Sequence, residues 1–192
     1  MCSNQQSQHN LDRLTSGWSR TKPLGRWLLW VVALSIGLPF VVGCSGNQLK
    51  NGVFKKGDLR YTVGSLPKTW RRISVAENDL AFFNPSFGSV IQANSTCRAD
   101  YEDASLSTLT SHLFNGLTNR KITQQAERIV DRRAALYTEL TARLDGVLVQ
   151  TAILLLKKNE CVFDFAYYAR PHRFGSGVGD FHRFIYGFRV LP

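Results

Sequence analysis

From about residue 53 onward, hydrophobic and polar positions alternate in short runs that predict strands, broken by two stretches of helical spacing. Leu59, Tyr61 and Val63 share one side of the first run. Residues 71–76 and 80–83 flank a turn at Glu77-Asn78-Asp79, and residues 89–97 put Ile91, Ala93 and Cys97 on one face against Gln92 and Asn94 on the other. The period then widens. Leu106, Leu109, Leu113 and Leu117, with Phe114 beside them, predict a helix that Ser105 caps and Asn119 ends. Strand patterning returns weakly over 122–130 and firmly over 133–143, where Ala134, Leu136, Leu140 and Ala142 face one way. Asp145-Gly146 is a hairpin turn by composition. The run VLVQTAILLL that follows is apolar on both faces, so it predicts a central strand covered on both sides. Lys157-Lys158-Asn159-Glu160 turns the chain into 161–170, with Phe163, Phe165 and Tyr167 on one face. Finally Asp180 caps a predicted helix whose stripe is Phe181, Phe184, Ile185 and Phe188.

The N-terminal part has a different pattern. Residues 27–49 carry no charged side chain, and Arg20, Lys22 and Arg26 stand just before them. Basic residues, then an apolar stretch, then small residues is the layout of an export signal. A retained membrane-spanning helix is the rival reading, although the 17 residues of 27–43 contain Pro39 and a span needs about 20. A buried core helix is excluded because the run has no polar face. Val41-Val42-Gly43-Cys44 resembles the lipobox of bacterial lipoproteins at all four positions. That resemblance implies cleavage before Cys44, a diacylglyceryl thioether on its sulfur and acylation of its new amino group. Two or more acyl chains anchor stably where one does not. Ser45 in place of Asp implies, by similarity to Gram-negative sorting signals, an outer-membrane location facing the periplasm rather than an inner-membrane one. The organisation expected is a signal peptide over 1–43, a flexible tether over 44–52 and one domain over 53–192.

Composition narrows the class. With 44% hydrophobic and 20% charged residues the chain is neither disordered nor wholly membranous. The net charge is +10, and most of it lies beyond Cys44, because Arg13, Arg20, Lys22 and Arg26 oppose only Asp12 before it. A domain of that length builds its own core without a metal or a disulfide framework.

An antiparallel sheet with a mid-chain helix and a closing helix is an α+β fold, with helices on both faces as an α/β/α sandwich. The stretch Leu66-Pro67-Lys68-Thr69-Trp70, followed by two short strands, a helix, a Gly-turned hairpin and an aromatic closing helix, resembles the PsbP-like α/β/α sandwich over about 53–192. That family is named for an extrinsic subunit of photosystem II. The resemblance implies a protein-binding or assembly module without a catalytic site, and it transfers no functional residue.

Candidate chemistry is sparse. Cys97 and Cys161 lie on the apolar faces of their strands, and exported thiols tend to pair, so a disulfide stands against two buried free thiols. The stretch Phe174-Gly175-Ser176-Gly177-Val178-Gly179-Asp180 lacks the Lys-Ser/Thr of a phosphate-binding loop and reads as a mobile loop before a capped helix. Arg71-Arg72, Arg132-Arg133 and Lys157-Lys158 fall at the ends of elements, either as solvated turns or as a face for an anionic partner. No zinc spacing or serine-hydrolase motif occurs, so no metal, cofactor or catalytic residue is assigned, and an exported chain gives no reason to expect nucleic acid. Two readings result. One is a lipid-anchored, non-catalytic module that binds an envelope protein or an anionic surface. The alternative is a hydrolase or transferase acting on envelope polymer, with its site near a 175–179 loop.

Overall fold

Long antiparallel strands dominate the fold. The structure, a computed structural model, describes residues 48–50, 52–76, 78–97 and 103–192, all within one unit running from Gly43 to Pro192. The expected signal peptide, Cys44 and Glu77 of the first turn lie outside the described residues.

The strands are β1 (Gln48–Lys50), β2 (Val53–Lys56), β3 (Leu59–Thr62), β4 (Arg71–Ile73), β5 (Leu80–Asn84) and β6 (Ser89–Cys97). Helix α1 (Leu106–His112) follows, then β7 (Leu117–Val130), β8 (Arg133–Leu144), β9 (Val147–Lys158), β10 (Cys161–Ala169), helix α2 (Pro171–Tyr186) and β11 (Arg189–Val190). Seven strands form one sheet in the order β4-β5-β6-β10-β9-β8-β7, and four form a second in the order β1-β2-β3-β11, with antiparallel pairing throughout. Strands β7 to β10 run as a meander through two-residue turns at Asp131-Arg132, Asp145-Gly146 and Asn159-Glu160, where both residues have positive φ. Such turns match the right-handed twist of the strands they join. Only the second carries the glycine that announces it in sequence.

The double apolar character of β9 is realised as one large cluster on one face and two smaller ones on the other. Ala152, Leu154 and Leu156 join the large cluster that holds Phe54 and Tyr61 of the four-stranded sheet and Phe181, Phe184 and Ile185 of α2. Leu155 packs instead with Leu109 of α1 and Val162, while Ile153 packs with Phe114, Leu140 and Ala166. Each fully buried side chain contributes roughly 1.5–3 kcal/mol. Truncating Leu154, which is wholly buried, to alanine costs about 2–5 kcal/mol by lost transfer and a cavity.

Three expectations need correction. Helix α1 ends at His112, with Leu113 as its cap, because Gly116 at φ 83° turns the chain and makes Leu117 the first residue of β7. Within the expected tether, Gln48–Lys50 pairs with β2 as β1. The 175–179 segment is not a loop. Helix α2 begins at Pro171, whose missing N–H and fixed φ suit a first helical position, and it runs through all three glycines. Asp180 is therefore interior. Its carboxylate accepts from Trp70 Nε1 and from Arg183 Nη1, each at 2.8 Å.

Candidate functional site

Cys97 and Cys161 face each other in the β6–β10 register and form a disulfide, with their Cα atoms 4.1 Å apart. The bridge sits at one end of the seven-stranded sheet, in the wall of a cavity of about 670 Å³ whose other walls include Lys56, Asp58, Arg60, Asn159 and Leu191. Beside it a buried carboxylate joins the two sheets. Asp79 accepts from Lys56 Nζ at 2.9 Å, from the Tyr61 hydroxyl at 3.1 Å and from the Ser95 hydroxyl, while its N–H donates to Ala93 O at 3.1 Å. Lys56 Nζ also donates to Ser95 O at 2.8 Å. Burial, with the Asp79 charge next in effect, holds the Tyr61 phenol far above its ordinary pKa, so that hydroxyl remains a donor.

The six basic positions do not form one patch. Arg71 and Arg72 are exposed on β4, an edge strand, whereas Arg132 and Arg133 sit at the β7–β8 turn by the other edge. The five spacings from β4 to β8 put them about 24 Å apart. Lys157 and Lys158 are neighbours in β9, not turn residues, so their side chains leave opposite faces. Lys157 Nζ meets Asp103 and Ala104 O, both at 2.8 Å. Lys158 Nζ meets the Asp131 carboxylate at 2.5 Å, and that carboxylate also accepts from Val190 N at 2.9 Å. Burial works against the Asp131 charge, but these hydrogen bonds outweigh it and hold the carboxyl below its ordinary pKa. Of the six basic positions, the one that the fold brings to Asp131 is Lys158, with Arg189 near enough to favour the same charge.

A second titratable cluster bridges β8 and α2. The Tyr137 hydroxyl donates to Glu139 Oε1 at 2.6 Å and lies 3.0 Å from His182 Nε2, with Arg128 over the Tyr137 ring. Burial, aided by Arg128 and opposed by Glu139, holds His182 below its ordinary pKa. Among the described residues no group of three or more His, Cys, Asp or Glu is placed to hold a metal, and no helix is long and apolar enough to cross a membrane.

The feature that strand patterning missed lies on the α1-packed side of the same sheet. Along β10, Val162, Asp164, Ala166 and Tyr168 alternate with the aromatic stripe of Phe163, Phe165 and Tyr167. Asp164 stands opposite Asn94 of β6 and Leu155 of β9, in a recess of about 270 Å³ lined also by Gln92, Asn78, Tyr168, Leu113 and Ile153. Its carboxyl has no hydrogen-bond or ion-pair partner among the described residues. Burial, then the charge of Asp79, push it up to about 6, with Lys56 opposing. Tyr168 is pushed up to about 12 by burial and by Asp164 itself. The sequence signal was an aspartate inside a strand otherwise apolar on both faces, where charged residues seldom sit unless they are paired.

With this geometry in view, solved structures provide a comparison. The cyanobacterial PsbP protein of Synechocystis (CyanoP) superposes with a TM-score of 0.52 at 12% identity, over 81% of this chain and 99% of that one. LpqN of Mycobacterium tuberculosis, involved in cell envelope biogenesis, superposes with a TM-score of 0.51 at 12% identity, over 69% of this chain and 84% of that one. The fold is PsbP-like. No protein-family model and no curated protein matches the sequence. At this identity the likeness extends to the sheets and helices of the PsbP-like fold and to no individual residue.

Proposed function

We propose that the chain is a lipid-anchored, non-catalytic binding or assembly module of the bacterial cell envelope. It is made with a signal peptide over 1–43, moored through Cys44 and exposed to the periplasm from the outer membrane. Its full architecture is the three-layer α/β/α sandwich. The alternation along β9, with Leu154 packed beneath α2 and Leu155 beneath α1, supports that layering. The observation that carries the reading is the Cys97–Cys161 disulfide in a PsbP-like domain, since such bridges persist in oxidising compartments. The Val41-Val42-Gly43-Cys44 sequence and the likeness to a protein of cell envelope biogenesis agree with it. A non-catalytic role is supported by where the reactive side chains are engaged. Glu139 and His182 are each engaged by the Tyr137 hydroxyl, and the 175–179 segment is a packed helix rather than a loop over a cleft.

The partner is an envelope protein, or an anionic surface met through Arg71 and Arg72 on one edge or Arg132 and Arg133 on the other. The test is crosslinking in intact cells from the mature domain, with identification of the captured species. Reversal of charge at Arg71 and Arg72, and separately at Arg132 and Arg133, identifies the edge in use. Labelling with palmitate that persists in the Cys44→Ala variant rules out the anchor, and capture unchanged by both charge reversals rules out the basic edges.

A further inference from the structure

Strand β10 spends one position of a nearly continuous apolar run on a carboxylate that nothing in the described fold engages. The Asp164 side chain is part-buried, so a ligand can reach it, and drawing a carboxylate from water costs free energy unless a donor meets it. The surroundings of Asp164 indicate which donor. Gln92, Asn94 and Asn78 supply side-chain amides around the carboxylate, Tyr168 supplies a hydroxyl, and among the described residues no basic side chain lines the recess. The titratable groups that reach Asp164 from neighbouring elements are Asp79, between β4 and β5, Lys56 of β2 and the Tyr61 phenol of β3, with Tyr168 on its own strand. Lys56 is committed elsewhere, to Asp79 and Ser95 O.

Size and polarity select further. The recess holds about 270 Å³, just under the roughly 300–1,000 Å³ of small-molecule sites, so it suits one side chain better than a whole metabolite. Leu113, part-exposed, gives the recess an apolar side beside its polar end, which suits a long basic side chain: methylenes against hydrocarbon and a charged head on acceptors. In a chain of net charge +10, this is a local acceptor site that a cationic partner can use.

We propose that the Asp164 recess receives the cationic end of a lysine or arginine side chain from a partner polypeptide, which deepens the binding-module reading and rests on it. A guanidinium forms paired hydrogen bonds with a carboxylate and with the flanking amide oxygens of Asn94 and Gln92, while an ammonium donates to the same atoms with less geometric constraint. Acid weakens the contact, because protonating Asp164 removes the charge and turns one acceptor into a donor.

The experiment follows backbone amide shifts of the full chain in detergent micelles during titration with capped tripeptides. Acetyl-Gly-Arg-Gly-amide and acetyl-Gly-Lys-Gly-amide are the probes, the glutamate equivalent is the control, and free methylguanidinium tests for a small cation. The expected result is saturable shifts around Asn94 and Asp164 with the basic peptides and none with the acidic one. Affinity falls about tenfold or more in Asp164→Asn, which keeps the shape and loses the charge. The native protein loses a similar factor on acidification from about pH 7.5 to about pH 5. No saturable shift with either basic peptide overturns the proposal, as does equal binding by Asp164→Asn or binding of methylguanidinium alone. The titrations do not involve the lipid, so their failure is separable from a failure of palmitate labelling at Cys44.

Discussion

Asp79 is the side chain whose loss should most clearly loosen the two sheets from each other. It receives Lys56 and Tyr61 from the four-stranded sheet and Ser95 from the seven-stranded one. Replacing it with alanine strands the hydroxyls of Tyr61 and Ser95, both buried, at about 1–3 kcal/mol each. The Lys56 ammonium adds little, because its side chain is 41% exposed and water replaces the lost partner, so its share stays under about 1 kcal/mol. The sum is about 4 kcal/mol for Asp79→Ala. Asp79→Asn keeps one acceptor oxygen and costs about half of that. Urea unfolding with the disulfide intact reads the difference. With a slope of about 2 kcal/mol/M, the midpoint of Asp79→Ala falls by about 2 M and that of Asp79→Asn by about 1 M. Equal shifts for these two variants would refute the reasoning, because the carboxylate charge rather than the acceptors for the buried hydroxyls would then join the sheets.

The glycines of α2 separate a helix from a loop. Gly175→Ala and Gly179→Ala meet no atom within 4 Å, so each stabilises by about 0.5–1 kcal/mol as in any helix interior. Gly177→Ala instead brings its methyl to 2.6 Å from the hydroxyl oxygen of the buried Tyr167 and destabilises by about 1–3 kcal/mol; thermal melts that rank all three alike would contradict the helix. Removing both Cys97 and Cys161 as alanines opens a closure of 64 residues and costs about 2–4 kcal/mol, and a urea midpoint unchanged from the oxidised protein would count against it. Asp164, pushed up to about 6 from an ordinary 3.8, makes folding less favourable as pH rises between those values. Below about 3 both states are protonated and nothing is lost, whereas above about 7 the loss is complete at about 3 kcal/mol. Asp164→Asn is therefore more stable than the native chain at about pH 7 and equal to it near about pH 3, and a gain of the same size at both pH values would remove burial of the charge as its cause.

What could be read in advance was the local part of the fold. Period-two patterning located β6 to the residue and β10 within one, because one buried face of a strand dictates its alternation, while an apolar run without alternation located β9. The errors have physical origins. Gly175, Gly177 and Gly179 hid the first half of α2, although Pro171 was a start signal, and what favours glycine at 177 is the nearness of the Tyr167 ring, a tertiary contact. Leu117 fitted a helical stripe and yet opens β7, since Gly116 turns the backbone between them. Strands β1 and β11 are too short to show a period; β1 pairs with its neighbour β2, whereas β11 exists only through β3, a partner distant in sequence. Of the candidate sites, the Cys97–Cys161 pair was legible from face assignment. The dispersal of the basic pairs to opposite edges was not, because it depends on strand order, with β10 inserted between β6 and β9. The Asp164 recess required β6, β10 and α1 to be assembled before its lining could be seen together.

The pairing of Thr62 with Arg189 has a consequence for biogenesis. A ribosome delivers β3 over a hundred residues ahead of β11, so the earliest sheet waits with an open flank while the hairpins of β7 to β10 zip up behind it. Nearby pairings close quickly and distant ones slowly, which makes the final step the arrival of a two-residue strap from the far end of the polypeptide. During that interval the nascent N-terminal strands are a natural client for a chaperone, and clipping the chain before Arg189 should prolong that dependence.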